Sequence, residues 1–337
     1  MKTKTLSYIN PLYLVGLFLI CPILLFITII DMTILNGAVL KALPSHPEQW
    51  AFWLVLFGLP HIIASFITMA DKENLSKYGS KILKVILVLT GASLIINGVI
   101  PSSLEGNDLY EYQILMFSIY GFATVYHVVT QQLGIGLVLN EVSPSPEYKI
   151  FKWFSITLSF ILLLLVLLNN HIPTSSTHLV KYTFYLCTAL LLACIYFGWK
   201  FSLMAKSKIG KVYVYLNIFM FLSMYIFAIF DYAIFAIIIP RFIHDITAFI
   251  FYSNHDANKF KYQGSNYFYR VFHKLPIPVS IISPLLGVII AYSFNSSIAW
   301  VLLYAKFVLE FFHYYIESFM WKSGGSHRLY LKIKLSP

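Results

Sequence analysis

The chain has 337 residues, of which 59% are hydrophobic and only 11% charged, with a formal net charge of +10 and a mean hydropathy of +0.75. Soluble domains carry about 25% charged residues, so the composition excludes a soluble globular enzyme and makes lipid the main solvent. The basic excess is of the kind that lies beside membrane spans on the cytoplasmic face and meets anionic lipid; no nucleic-acid partner is implied.

A helix needs about 20 apolar residues to cross a bilayer. That rule predicts spans over 11–31, 50–70, 83–100, 111–139, 152–169, 181–203, 212–229, 231–252, 276–294 and 297–319. The first run is too long for a signal-peptide core and lacks a small-residue cleavage site, so it is read as a retained span. The seventh and eighth spans nearly touch at Phe230 and Asp231. Basic residues mark alternate loops: Lys2 and Lys4, then Lys72, Lys77 and Lys81, then Lys149 and Lys152, then Lys206, Lys208 and Lys211, then Lys259 to Lys274, then Arg328 to Lys334. By the positive-inside rule both termini are cytoplasmic, and fusing spans seven and eight would put the basic tail outside. The predicted fold is an all-α, polytopic transmembrane helix bundle of about ten spans, a single integral membrane domain over residues 1–337, in a bacterial inner membrane. Cys21, Cys187 and Cys194 all fall in apolar runs and are read as thiols that pack as small hydrophobes.

The chain has ten histidines. His46, His171 and His178 fall in outer loops and His273 and His327 near the inner surface, where a histidine is an ordinary polar residue. His61, His127, His244 and His313 fall inside spans two, four, eight and ten, all of which run from outside to inside. His61 stands ten residues before Asp71, His244 nine before Ser253 and His313 nine before Lys322. At about 1.5 Å per residue, each lies roughly 14–15 Å above the inner end of its helix. His127 is less regular, fourteen residues before Glu141. Imidazole is costly to desolvate in a bilayer, and four rings at one depth point to a metal, since one ion occupies several nitrogen lone pairs at once. One such ring by itself is more often hydrogen-bonded packing.

Polar residues collect around these positions. Glu310, His313 and Glu317 share a helical stripe, and Glu-x-x-His recurs in carboxylate-bridged metal bundles. Either glutamate can ligate, or can orient a ligating imidazole. Arg241 and Asp245, four residues apart, are expected to neutralise one another. Tyr126, Gln131 and Gln132 surround His127 in sequence. His255 follows His244 by eleven residues, about 16 Å along a straight helix, so one ion takes both only if the helix breaks between them. With Asp256 it makes a second polar site or an interfacial cap.

The segments "FGLPH", "TVYHVV" and "ITAFIFYSNHD" resemble, in order and style, motifs of the bacterial β-carotene 15,15′-dioxygenase family (Brp/Blh type). That resemblance implies a multi-span membrane protein binding non-haem iron through His61, His127 and His255 and cleaving a polyene with O2. The chain departs from the family pattern in "HIIASF" after His61 and in Lys259 one turn after His255. The resemblance selects His255 as the late ligand where the common depth selects His244.

The function expected is a membrane oxidoreductase, a dioxygenase or monooxygenase, with Fe(II) as cofactor and His61, His127, His244, His313 and His255 as the candidate ligands. Glu310 and Tyr126 are the candidate catalytic residues. Its partners would be O2, an apolar isoprenoid or lipid substrate reached from the bilayer, membrane lipid and, for a monooxygenase, an external electron donor. The alternatives are a haem-binding or metal-transporting membrane protein without enzymatic activity, and a metal-free scaffold.

Overall fold

The computed structural model describes residues 6–44, 58–168, 177–262, 265–272, 278–295, 299–321 and 326–334. Their regular structure is helical, with two isolated β-bridges and no named strand among them. The helices are α1 (Pro11–Thr33), α2 (Ala38–Ala42), α3 (Leu59–Met69), α4 (Lys72–Ser102), α5 (Gly106–Asn140), α6 (Pro146–Leu168), α7 (Thr177–Ser202), α8 (Lys208–Ile229), α9 (Ala233–Tyr262), α10 (Tyr267–Phe272), α11 (Val279–Asn295) and α12 (Ala299–Met320). Seven of them are long and apolar enough to cross a membrane: Pro11–Thr33, Lys72–Ser102, Gly106–Asn140, Pro146–Val166, His178–Ser202, Lys208–Ile229 and Ala233–Phe260. Leu59–Met69 and Val279–Tyr292 are shorter apolar helices. Residues 50–57 of the predicted second span and 276–277 of the ninth lie outside the described residues, as do His46, His171 and His273.

Helix boundaries follow local chemistry. Helix α3 opens on Gly58, whose φ of 67° is open to glycine and costly to other residues, and Pro60 fits the first turn, where its missing N–H is not needed. Asp71 caps α4 by accepting the Glu73 N–H at 3.0 Å. The prediction began that span at residue 83, whereas the helix begins at Lys72. Hydropathy marks the lipid-solvated part of a helix, and a lysine-bearing turn such as that of Lys77 and Lys81 is equally helical. Helices α8 and α9 are separate, turning at Asp231 with φ 62°. The apolar surface of α4, including Leu83, Leu87, Val88 and Leu94, is exposed, as expected of a helix facing acyl chains.

The chain falls into two compact units. One consists of residues 1–9, 51–115 and 245–334. Its core joins Ala64 and Met69 of α3, Ala248 and Tyr252 of α9, and Phe312, Ile316 and Met320 of α12, with Tyr78, Ile82 and Val85 of α4 packed against them. A second cluster sets Ile63 and Ile67 of α3 against Tyr269, Ile282 and Ala291. Helix α11 lies so close to α3 that a Cβ on Gly287 would stand 2.4 Å from the Pro60 carbonyl oxygen. In α4 the π-helical turn Ile95–Val99 turns carbonyls outward: Ile96 accepts from the Tyr112 hydroxyl at 2.7 Å and Asn97 from that of Tyr304 at 3.1 Å. The two ends of the unit meet in a bridge between Ile9 and Ile333. Asn258 of α9 pins both, donating to the carbonyls of Ser7 at 3.0 Å and Tyr330 at 2.8 Å.

The other unit consists of residues 10–50, 116–244 and 335–337. Here α6, α7 and α8 pack together and α1 lies on α8, with Phe18 edge-on to Tyr213 at 5.3 Å. Buried Asp31 is satisfied three times, by the Val39 and Leu40 N–H groups at 2.8 and 2.9 Å and by the Tyr232 hydroxyl at 2.6 Å. Cys21, Cys187 and Cys194 are buried free thiols, as expected from their apolar runs.

Candidate metal centre

In the first unit, α3, α9 and α12 bring His61, Asp245, His313 and Glu317 together. Helix α3 is short and buried on nearly every side, so His61 in its first turn is 1% exposed. The His61 Nδ1 stands 3.1 Å from Oδ1 of Asp245, itself fully buried. Asp245 Oδ2 accepts the Gly58 N–H at 2.7 Å. One carboxylate therefore caps the helix and orients the imidazole it carries. The sequence pairs Asp245 with Arg241 along α9; across helices the same carboxylate meets His61.

His313 of α12 is fully buried, with Nδ1 2.9 Å from Ser65 Oγ. Ser65 spends its own proton on the Ile62 carbonyl at 2.6 Å, so the serine oxygen is an acceptor for the His313 Nδ1–H. The Asp245 carboxylate stands 3.1 Å from Nδ1 of His61 as an ion-pair contact. The Ser65 contact selects for His313 the tautomer with a lone pair on Nε2, which is the form that ligates metal, and the negative charge of Asp245 beside Nδ1 of His61 favours the same form there. The two rings meet edge to face with centroids 4.9 Å apart, and one nitrogen of each lies within 4.8 Å of the other. Glu317, one turn after His313, places Oε1 3.8 Å from the His313 Nε2. The Tyr252 hydroxyl donates to the same carboxylate oxygen. Imidazole nitrogens and carboxylate oxygens are the donor types of non-haem Fe(II) sites, and hard and borderline donors of this kind suit iron or zinc.

Glu310, the carboxylate the sequence reading preferred, is half-buried one turn before His313. Glu317, the other member of the same stripe, has its carboxylate 3.8 Å from the His313 imidazole. No protein-family model, curated protein or solved structure matches this chain. The site is therefore read from its own geometry.

In the second unit His127 of α5 and His244 of α9 form a second edge-to-face pair, with centroids 5.0 Å apart and His244 fully buried. Tyr126 beside it is 39% exposed, and its ring contacts are Phe122 and Trp153. Gln132 is fully buried and accepts from the Tyr213 hydroxyl at 2.5 Å, which is interhelical glue rather than support for His127.

Helix α9 runs unbroken from Ala233 to Tyr262, so His244 and His255 stay three turns apart. His255 belongs to a different cluster, the second polar site that its neighbour Asp256 suggested. Its Nδ1 lies 2.9 Å from Asp256 Oδ1 and its Nε2 3.4 Å from Nδ1 of His327. Asp256 Oδ2 accepts from Thr68 at 2.8 Å and from the Tyr269 hydroxyl. His327, assigned no role from sequence, is 2% exposed in the turn Ser326–Leu329. Burial, with His255 and Lys259 beside it, pushes its imidazole down to about 3 and keeps it neutral. Its position near a basic chain end carries no signal of burial. Alongside, Lys259 pairs with Asp71 at 3.1 Å and Glu73 at 3.3 Å. Burial opposes charge on Asp71, but the Ser265 hydroxyl and the Lys259 ammonium outweigh it and hold the carboxyl below its usual range.

Proposed function

We propose that this protein is a multi-pass membrane oxidoreductase in which His61 and His313 are ligands of a non-haem Fe(II) ion, with Asp245 beside His61 and the Glu317 carboxylate beside His313. The observation that carries this reading is the pair of buried imidazoles on separate helices, with the Asp245 carboxylate 3.1 Å from Nδ1 of His61, Ser65 hydrogen-bonded to Nδ1 of His313 and a carboxylate 3.8 Å from Nε2 of His313. A buried acceptor set of this kind is matched by a cation. When bound, Fe(II) supplies O2 activation. The chain's own residues exclude water, fix the imidazole tautomers and hold the Glu317 carboxylate through Tyr252.

The substrate proposed is an apolar isoprenoid or lipid entering from the bilayer. The resemblance of "FGLPH" and "TVYHVV" to carotenoid-cleaving dioxygenases supports that direction, and a dioxygenase needs no electron donor. Ten spans with both termini cytoplasmic, in a bacterial inner membrane, remain the proposed topology. The Ile9–Ile333 bridge supports termini on one side. A haem protein is the alternative; rings with centroids 4.9 Å apart leave little room for a porphyrin plane between them, which favours the non-haem reading.

Elemental analysis of purified, tag-free protein tests the proposal, with His61→Ala and His313→Ala as controls. Stoichiometric iron that is lost in both variants is expected. A preparation reconstituted anaerobically with Fe(II) that holds none, or a Soret band in place of non-haem iron, would overturn it. The same assay on His127→Ala and His244→Ala reads whether those residues contribute ligands.

A further inference from the structure

The second unit holds a cavity of about 330 Å3, within the range of about 300–1,000 Å3 usual for small-molecule sites. Leu40 of α2, Leu165 near the end of α6, Val180 and Phe184 near the start of α7 and Ile234 at the start of α9 make its apolar wall. Buried Asp31 fixes that wall: it accepts from the Val39 and Leu40 N–H groups of α2 and from the Tyr232 hydroxyl at the α8–α9 turn. The space is thus framed by hydrogen bonds of the chain itself.

Its polar groups carry both signs. Asp231 lines the cavity from the turn between α8 and α9, exposed and with φ 62°. Among the described residues no cation or donor meets its carboxylate. Ala228 and Ile229, which end α8, line the cavity as well. The cap Phe230 N–H returns to Ile226, so the carbonyls of Ala228 and Ile229 have no following helical turn to donate to them. On the other side of Asp231, Ala233 and Ile234 open α9, and their N–H groups have no preceding turn to accept from them. A helix C-terminus favours a cation and an N-terminus an anion. The lysines next to lining residues are engaged: Lys41 donates to the Asn36 carbonyl at 3.4 Å, and Lys181 lies 5.9 Å from the centre of the Tyr185 ring.

Leu179 and Leu186 on the same stretch of α7 are exposed apolar residues, so acyl chains are the solvent beside the cavity. We infer that the cavity is a binding site for a bilayer phospholipid with a phosphoethanolamine head. One acyl chain lies along the apolar wall, the ammonium meets Asp231 and the end of α8, and the phosphate meets the start of α9. An ammonium with three N–H donors suits a carboxylate and open carbonyls. This site is independent of the iron proposed at His61 and His313.

The test titrates delipidated full-length protein in detergent with phosphatidylethanolamine or phosphatidylcholine of identical acyl chains and counts bound lipid by native mass spectrometry. Phosphatidylethanolamine is expected to bind at least tenfold more tightly, because the trimethylated nitrogen of phosphatidylcholine has no N–H to donate. Asp231→Asn keeps a residue type that tolerates positive φ and removes the charge, so the preference between the two heads should vanish. Ala233→Trp puts an indole into the cavity and should lower uptake of both lipids. Equal binding of the two lipids by the natural chain, a preference that survives Asp231→Asn, or undiminished uptake by Ala233→Trp would overturn the inference. The Asp231→Asn comparison decides even if Ala233→Trp fails to fold. Iron content does not enter the measurement, so failure of this site is distinguishable from failure of the metal centre.

Discussion

Asp245 and His61 lie on different helices and meet in the dry interior with Nδ1 and Oδ1 3.1 Å apart, while the second oxygen of the same carboxylate holds the Gly58 N–H at the start of the histidine's own helix. The carboxylate thus both holds the start of the helix and places its charge beside Nδ1 of the imidazole. Asp245→Asn keeps the size but removes the charge that favours Nδ1–H. Iron affinity is expected to fall about 10–100-fold, the usual effect of losing a partner that orients a metal ligand. Metal titration by competition with a chelator checks this, and an unchanged affinity would detach Asp245 from the centre.

Tyr252→Phe removes the hydroxyl that donates to Glu317. A buried carboxylate that loses a donor costs about 1–3 kcal/mol. Thermal melting in detergent should show a lower midpoint for the variant without iron. Iron restores part of the difference, because the ion gives Glu317 a replacement partner.

Gly287→Ala is predicted to act on the site without touching it. The new Cβ would meet the Pro60 carbonyl oxygen at 2.4 Å, and backbone cannot swing aside as a side chain would. Overpacking of this kind costs about 1–3 kcal/mol. Because Pro60 precedes His61, iron occupancy should fall together with stability. Gly91→Ala, at a glycine with open space around the position of a Cβ, should change neither; measuring both variants side by side separates strain at the α3–α11 contact from a general effect of added methyl groups.

The Asp71–Lys259 pair predicts a pH dependence. The carboxyl of Asp71 is held below its usual range, first against the cost of burial and then by Ser265 and Lys259. A depressed carboxyl contributes stability that is fully present above its unfolded value of about 3.9 and is lost as pH falls through the lower folded value. The advantage of the natural chain over Asp71→Asn should therefore be constant from neutral pH to about pH 5 and disappear under more acid conditions. Melting curves of both proteins across that range measure it, and an advantage that grew on acidification would refute the assignment.

The amino-acid sequence alone determines that this is a helical membrane protein, that α8 and α9 separate near Asp231, that the cysteines are buried thiols, and that His61, His244 and His313 lie within apolar helices. These properties depend on hydropathy and 1.5 Å steps along one helix, so they can be counted along the chain. Which residues meet across helices is a different quantity, because periodicity sets a residue's height and leaves its neighbour undetermined. Only the tertiary structure pairs His61 with His313 and Asp245, sets the Glu317 carboxylate 3.8 Å from the His313 imidazole, and buries His327 on His255. Each of those contacts other than that of Glu317 with His313 joins segments far apart in the chain, and their partners are chosen by the packing of whole helices, which no local pattern of residues records.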